Sequence, residues 1–119
     1  MTQPTFKFSF DCIYYHAKNM EKAVAFYRDV LGFSLKSRDY VARFDVDGVL
    51  FELVPAHEAN TIAGPGNARL SLGVADIDEA VRYLESKGVK ATAPKQEGGG
   101  KLALFHDPDG NEVCLWQAT

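Results

Sequence analysis

One carboxylate, one guanidinium, two thiols and one imidazole stand out in this sequence, because most of them sit at matched places in a repeat. The carboxylate is Glu52 and the guanidinium Arg69. The thiols are Cys12 and Cys114, and the imidazole is His16. Cys12 precedes Phe26 by the same interval at which Arg69 precedes Tyr83. Glu52 follows the turn glycine Gly48 by the same interval at which Cys114 follows Gly110. Cys12 and Arg69 are therefore equivalent, as are Glu52 and Cys114, in two copies of one unit. Equivalent positions of a duplicated fold can face one shared cavity.

A carboxylate beside a guanidinium makes an ion pair, a ligand-holding site or an acid–base site. Arg69 could hold a ligand's carboxylate, phosphate or enolate oxygen through its fork of donors. In the acid–base reading, Glu52 takes a proton next to a carbonyl while Arg69 holds the oxyanion. A guanidinium stays protonated and offers no lone pair. Arg69 therefore cannot ligate a metal, and its charge opposes a divalent ion nearby. The thiols read first as small apolar fillers of a sheet surface, since free cysteine packs as a hydrophobe. Two other readings stay open: a zinc site with Glu52 and His16, or a reactive thiol whose pKa Arg69 lowers. His16 suits proton transfer near neutral pH, or is a hydrogen-bonded residue at a strand end. His106 adjoins a turn and orders it, and His57 lies in a solvated linker.

The elements that must carry these groups repeat as well. Asn19-Met20-Glu21-Lys22-Ala23-Val24 recurs in the second half as Asp76-Ile77-Asp78-Glu79-Ala80-Val81. Asp45-Val46-Asp47-Gly48 recurs as Asp107-Pro108-Asp109-Gly110, at an offset that differs only by a short insertion. Aromatic and β-branched residues predict a strand over 8–16. Asn19 caps a helix whose apolar face is Met20, Ala23, Val24, Tyr27, Val30 and Leu31, and Gly32 ends it. Strands follow over 33–40, 41–46 and 49–54, with Asp47-Gly48 as a hairpin turn. In the second copy, a strand over 69–74 leads to a helix capped by Asp76, with Ile77, Ala80, Val81 and Leu84 on one face and Gly88 at its end. Strands over 89–93, 102–105 and 112–116 complete it. Glu97-Gly98-Gly99-Gly100 reads as a hairpin turn in preference to a ligand-closing flap.

The chain is thus α+β: one domain of two βαβββ units, at about 6–54 and 68–118, joined by a linker over 55–67. Alternation along the strands puts Ile13, Tyr15, Leu70, Leu72 and Val74 on the face against the helices. Cys12, Tyr14, His16, Glu52, Arg69, Ser71, Gly73, Cys114 and Trp116 face the other way. Tyr14, Trp116 and Phe44 could wall a pocket for a planar ligand, or pack in a core or a dimer interface.

Bulk properties exclude several classes. The 119 residues carry a net charge of -3 and no basic run, which argues against a nucleic-acid surface. No apolar stretch approaches the roughly 20 residues that cross a bilayer, and residues 1–10 show no signal peptide. Two cysteines are too few for a disulfide framework, so a reduced, cytoplasmic protein is expected.

The helix reading Met20-Glu21-Lys22-Ala23-Val24-Ala25-Phe26-Tyr27-Arg28-Asp29-Val30-Leu31-Gly32-Phe33 and the closing Asp107-Pro108-Asp109-Gly110-Asn111 resemble the vicinal-oxygen-chelate superfamily. Its members include glyoxalase I, bleomycin-resistance proteins, fosfomycin-resistance enzymes and extradiol dioxygenases. The resemblance implies two sheets curving around a cavity, formed within a chain or by unit exchange in a homodimer. It also implies metal ligands, usually His or Glu, at the positions of Cys12, Glu52, Arg69 and Cys114. Only Glu52 has that chemistry.

The expectation is accordingly a cytoplasmic, homodimeric protein that needs no metal cofactor. It holds a small organic ligand through Cys12, Tyr14, His16, Glu52, Arg69, Cys114 and Trp116, and has neither nucleic-acid nor membrane partners. The alternative is a lyase, isomerase or dioxygenase, with Glu52 as its catalytic base or with a displaced metal. A third possibility is an assembly component whose cavity an Arg69–Glu52 pair closes.

Overall fold

The computed structural model describes residues 11–56 and 70–119. Arg69, His57 and the start of the first expected strand lie outside them. Unit one contains β1 (Ile13–Ala17), α1 (Met20–Ala25) running into a π-helical turn (Phe26–Val30), β2 (Ser34–Arg38), β3 (Ala42–Val46) and β4 (Val49–Pro55). Unit two contains β5 (Leu70–Gly73), α2 (Ile77–Ser86), β6 (Lys95–Glu97), β7 (Gly100–His106) and β8 (Glu112–Ala118). The strand orders are β1-β4-β3-β2 and β5-β8-β7-β6, so the duplication holds strand for strand. In each sheet the first pair is parallel and the other two are antiparallel. The two sheets do not close into one barrel.

Local chemistry sets the ends of the helices. The Asn19 side chain accepts a hydrogen bond from the Lys22 amide at 3.0 Å, and Asp76 accepts one from Glu79 at 3.1 Å. Each satisfies an amide that the first helical turn leaves open. Gly32 and Gly88 stop the helices at φ 73° and 79°, where a Cβ would be strained. The π turn widens α1 where the Leu31 amide reaches the Phe26 carbonyl, five residues back, at 3.2 Å. That end of the helix sets Phe26 and Tyr27 into the core, both buried.

One strand differs from expectation. Residues 89–93 do not form a strand, and β6 lies at Lys95–Glu97 instead. The Thr92 amide donates to the Leu104 carbonyl at 2.9 Å, but the Leu104 amide returns its bond to the Thr92 hydroxyl. A side chain thus replaces the carbonyl that a ladder would use. Pro94 has no amide to offer, and pairing resumes only beyond it.

The core lies on the helix-side faces of both sheets. Tyr27, Phe44, Phe51, Leu53, Phe105 and Val113 are fully buried there. Ile13, Tyr15, Leu72 and Val74 pack against this cluster and Leu70 is part of it, as alternation requires. Phe44 therefore belongs to the core, ringed by Tyr27, Phe33 and Phe51, and walls no ligand pocket.

The closing turn ties the units together. Asp107 is buried and accepts from the Tyr27 hydroxyl at 2.9 Å, the Asn111 amide at 2.8 Å, the Asp109 amide at 2.9 Å and the Asn111 side chain at 2.9 Å. Asn111 also donates to the His16 carbonyl at 3.1 Å, and Asp109 accepts from the Lys18 amide at 2.7 Å. A buried carboxylate is tolerable only when satisfied in this way. Burial, reinforced by the charge of Asp107, pushes the Tyr27 phenol above its ordinary range.

Candidate functional site

Register decides which side chains share a face. Tyr14 lies opposite Glu52 and His16 opposite Val54 across β1 and β4, and Arg43 lies opposite Glu52 across β3 and β4. Paired residues point to the same side of a sheet. Tyr14, His16, Arg43 and Glu52 therefore share the face turned away from α1. In unit two, Ser71 and Leu104 lie opposite Cys114, and Gly73 and Leu102 lie opposite Trp116. The Tyr14–Glu52 and Ser71–Cys114 pairs are the match that the repeat demands.

The face of unit one is polar. Arg43 brings its Nε to 3.6 Å from Glu52 Oε2. The same guanidinium donates to Asp39 Oδ2 at 3.1 Å and to Ser37 Oγ at 3.3 Å. Tyr14 and His16 meet edge to face, ring centres 5.6 Å apart, with Tyr14 54% exposed. Cys12 lies just before β1 and is half-buried. Its thiol is raised by burial first, and then by Glu52 and Asp11. No group in the described surroundings of Cys12 favours a reactive thiolate.

The face of unit two is mostly apolar. Cys114 is buried among strand neighbours, with its Sγ 3.5 Å from the Leu115 carbonyl, and packs as a filler. The Trp116 ring lies over Gly100, where an added Cβ would sit 2.7 Å from the ring and 2.4 Å from the Gln117 carbonyl. The three-glycine run thus forms the β6–β7 hairpin, and its last glycine makes room for an indole. His106 lies 3.6 Å from Glu112 across β7 and β8.

Arg43 is a site residue that the sequence reading does not single out, although its signal is present. With Asp47-Gly48 as a two-residue loop, Val46 pairs with Val49, and counting outward Arg43 pairs with Glu52. Arg69, expected beside Glu52, lies outside the described residues.

The two faces do not meet within the chain. The units join through their other sides: Tyr15 to Glu112 and Leu70, Phe26 to Phe105, Tyr27 to Asp107, and Tyr83 to Val30. The expected cavity between the candidate residues is thus not formed by the described part of one chain. A cleft of about 740 Å³ opens elsewhere, on the helix side between the units, and its described lining includes none of the candidate residues.

The sequence model of the Glyoxalase/Bleomycin resistance protein/Dioxygenase superfamily matches residues 10–115. The chain belongs to this superfamily. It is 34% identical over 107 residues to the Uncharacterized protein YaeR of Escherichia coli (strain K12), covering 78% of this chain and 83% of that one. Among solved structures it resembles TnmS3, an antibiotic binding protein from Streptomyces sp. CB03234, at 26% identity and TM-score 0.76 over 95% of this chain and 100% of that one. Lactoylglutathione lyase from Agrobacterium tumefaciens shares the fold at 19% identity and TM-score 0.75, over 98% and 96%.

The donors that this superfamily member carries do not fit a resident metal. Glu52 already faces the Arg43 guanidinium, the Cys114 thiol is buried as packing, and the fourth position is an arginine with no lone pair. Among the described residues no three histidine, cysteine or acidic side chains gather closely enough to hold an ion. No helix among them is long and apolar enough to cross a membrane.

Proposed function

We propose that the protein binds a small organic ligand, without a resident metal, between the polar face of unit one and the apolar face of unit two from a second copy. The carrying observation is that both candidate faces point away from the contact between the units. Each is half a site: Arg43, Glu52 and Tyr14 set polarity on one side, and Leu102, Leu104 and Trp116 give apolar area on the other. Burial of an apolar body with a few placed polar groups is how small-molecule sites gain affinity and orientation. The 26% identity to an antibiotic-binding protein supports sequestration as the mode of action. Two free cysteines suit a reduced, cytoplasmic setting.

Native mass spectrometry of the freshly purified protein tests this. A dimer that carries a copurified organic mass and no stoichiometric metal is expected. Stoichiometric zinc, nickel or iron, lost in the Cys12→Ser, Cys114→Ser double variant, would overturn it. If the bound molecule is consumed, and Glu52→Gln stops its consumption, acid–base catalysis replaces sequestration.

A further inference from the structure

The cleft between the units has its own chemistry. Ile13, Phe51 and Leu72 floor it, Val30 and Phe33 wall it on one side, and Leu84 walls it on the other. Tyr83 and Val49, two of the exposed large hydrophobic residues, stand at its edges at 47% and 39% exposure. Its volume of about 740 Å³ lies within the usual range of ligand pockets. The Tyr83 hydroxyl donates to the Val30 carbonyl at 2.7 Å and so bridges α2 to the end of the π turn.

Only two charged residues are part of its described lining, and both are acidic. Asp45 ends the polar side of β3, and Asp47 occupies the β3–β4 turn at φ 52°. Neither carboxylate has an ion-pair or hydrogen-bond partner among the described residues. The cleft thus joins an unfilled apolar floor to unneutralised negative charge at one rim. That pairing is complementary to a molecule with an apolar body and a cationic head.

We infer that this cleft is a second ligand site, separate from the sheet faces, which takes an amphiphilic organic cation. The apolar body lies on Phe51 and Leu72, and the ammonium group lies at the β3–β4 turn beside Asp47, with Asp45 adding negative charge from the other side of β3.

The test titrates the full-length protein with decyltrimethylammonium and, separately, with decanoate, both below their micellar concentrations, by calorimetry. The cation is expected to bind about tenfold more tightly than the anion, the size that one partly exposed charge contact and a second nearby like charge can supply. Asp45→Asn with Asp47→Asn is expected to erase that preference; asparagine accepts the positive φ of position 47, and position 45 is an exposed strand residue. Ala80→Phe, which fills the cleft from α2, is expected to weaken both ligands. Glu52→Gln is expected to leave the titration unchanged, which separates this site from the proposed one on the sheet faces. Equal binding of cation and anion would overturn the inference. So would loss of binding in Glu52→Gln, or a tenfold gain on deleting residues 1–10, which would mean that the chain's own N-terminal segment occupies the cleft.

Discussion

Arg43 faces Glu52 across the β3–β4 ladder, with Nε 3.6 Å from Oε2. The one carboxylate that matches the superfamily's ligand chemistry is thus already held by a cation on its own sheet. Arg43 is more than a third exposed and Glu52 about a fifth. A pair that open is screened, so a double-mutant cycle of Arg43→Gln and Glu52→Gln should give a stability coupling below about 1 kcal/mol that shrinks in salt. A coupling of several kcal/mol would mean that the pair is a structural staple and leave the ligand-site reading without its polar centre.

The Asp107 cluster should behave oppositely. Asp107→Ala strips partners from the Tyr27 hydroxyl, the Asn111 amide and the Asp109 amide at once, in a site closed to water. The loss should be about 2–4 kcal/mol in urea unfolding, because each stranded buried donor costs its desolvation. A loss under about 1 kcal/mol would show that water readily replaces the carboxylate.

Tyr27 adds a pH signature. Its phenol is raised in the folded state, chiefly by burial, so folding favours the neutral form. The stabilising contribution is complete below about pH 10, where the unfolded phenol is also neutral, and falls as pH rises above that. Unfolding midpoints for wild type should therefore drop more steeply between pH 9 and pH 11 than those of Tyr27→Phe. Parallel pH profiles would contradict the assignment.

The Cys12 thiol should be a slow nucleophile. Burial, Glu52 and Asp11 all disfavour its thiolate. Alkylation followed in the Cys114→Ser background should accelerate only at clearly alkaline pH, and Glu52→Gln should move that rise toward neutrality. Fast alkylation at pH 7 would reveal a positive neighbour, such as Arg69, that dominates these groups.

Gly100→Ala tests the packing of Trp116. The new methyl would meet the indole and the Gln117 carbonyl well inside contact distance. The ring should shift, seen as a changed emission maximum of this single tryptophan, with a stability loss of about 1–3 kcal/mol. Unchanged emission would place the indole elsewhere.

Much of this fold is legible in the residues themselves. The duplicated turns and caps define both units, because Asn19, Asp76, Gly32 and Gly88 act through local backbone chemistry that needs no tertiary context. Strand alternation puts Tyr14, Glu52, Cys114 and Trp116 on the correct side for the same reason. The role of Phe44 is legible too, because Ala42-Arg43-Phe44-Asp45-Val46 alternates apolar and charged residues and so sets Phe44 on the core face, a pattern that the search for an aromatic pocket wall passes over. The shift of β6 from 89–93 to Lys95–Glu97 comes from a threonine hydroxyl standing in for a carbonyl, a substitution that a propensity pattern cannot register. The separation of the two candidate faces depends on how the units dock, through Tyr15, Tyr27 and Tyr83, and strand-by-strand reading does not reach that level.

The turn at Asp107 also bears on the order of folding. Its bonds to Tyr27, Lys18 and the His16 carbonyl span 80, 91 and 95 residues of sequence. Contacts so distant carry a large loop-closure cost and form late. On a ribosome, unit one must wait for residues 107–111 of unit two before its first strand and helix acquire these partners. A nascent chain arrested before Asp107 should therefore hold a loosened unit one, and emergence of the Asp107 turn should be the event that confers resistance to proteolysis.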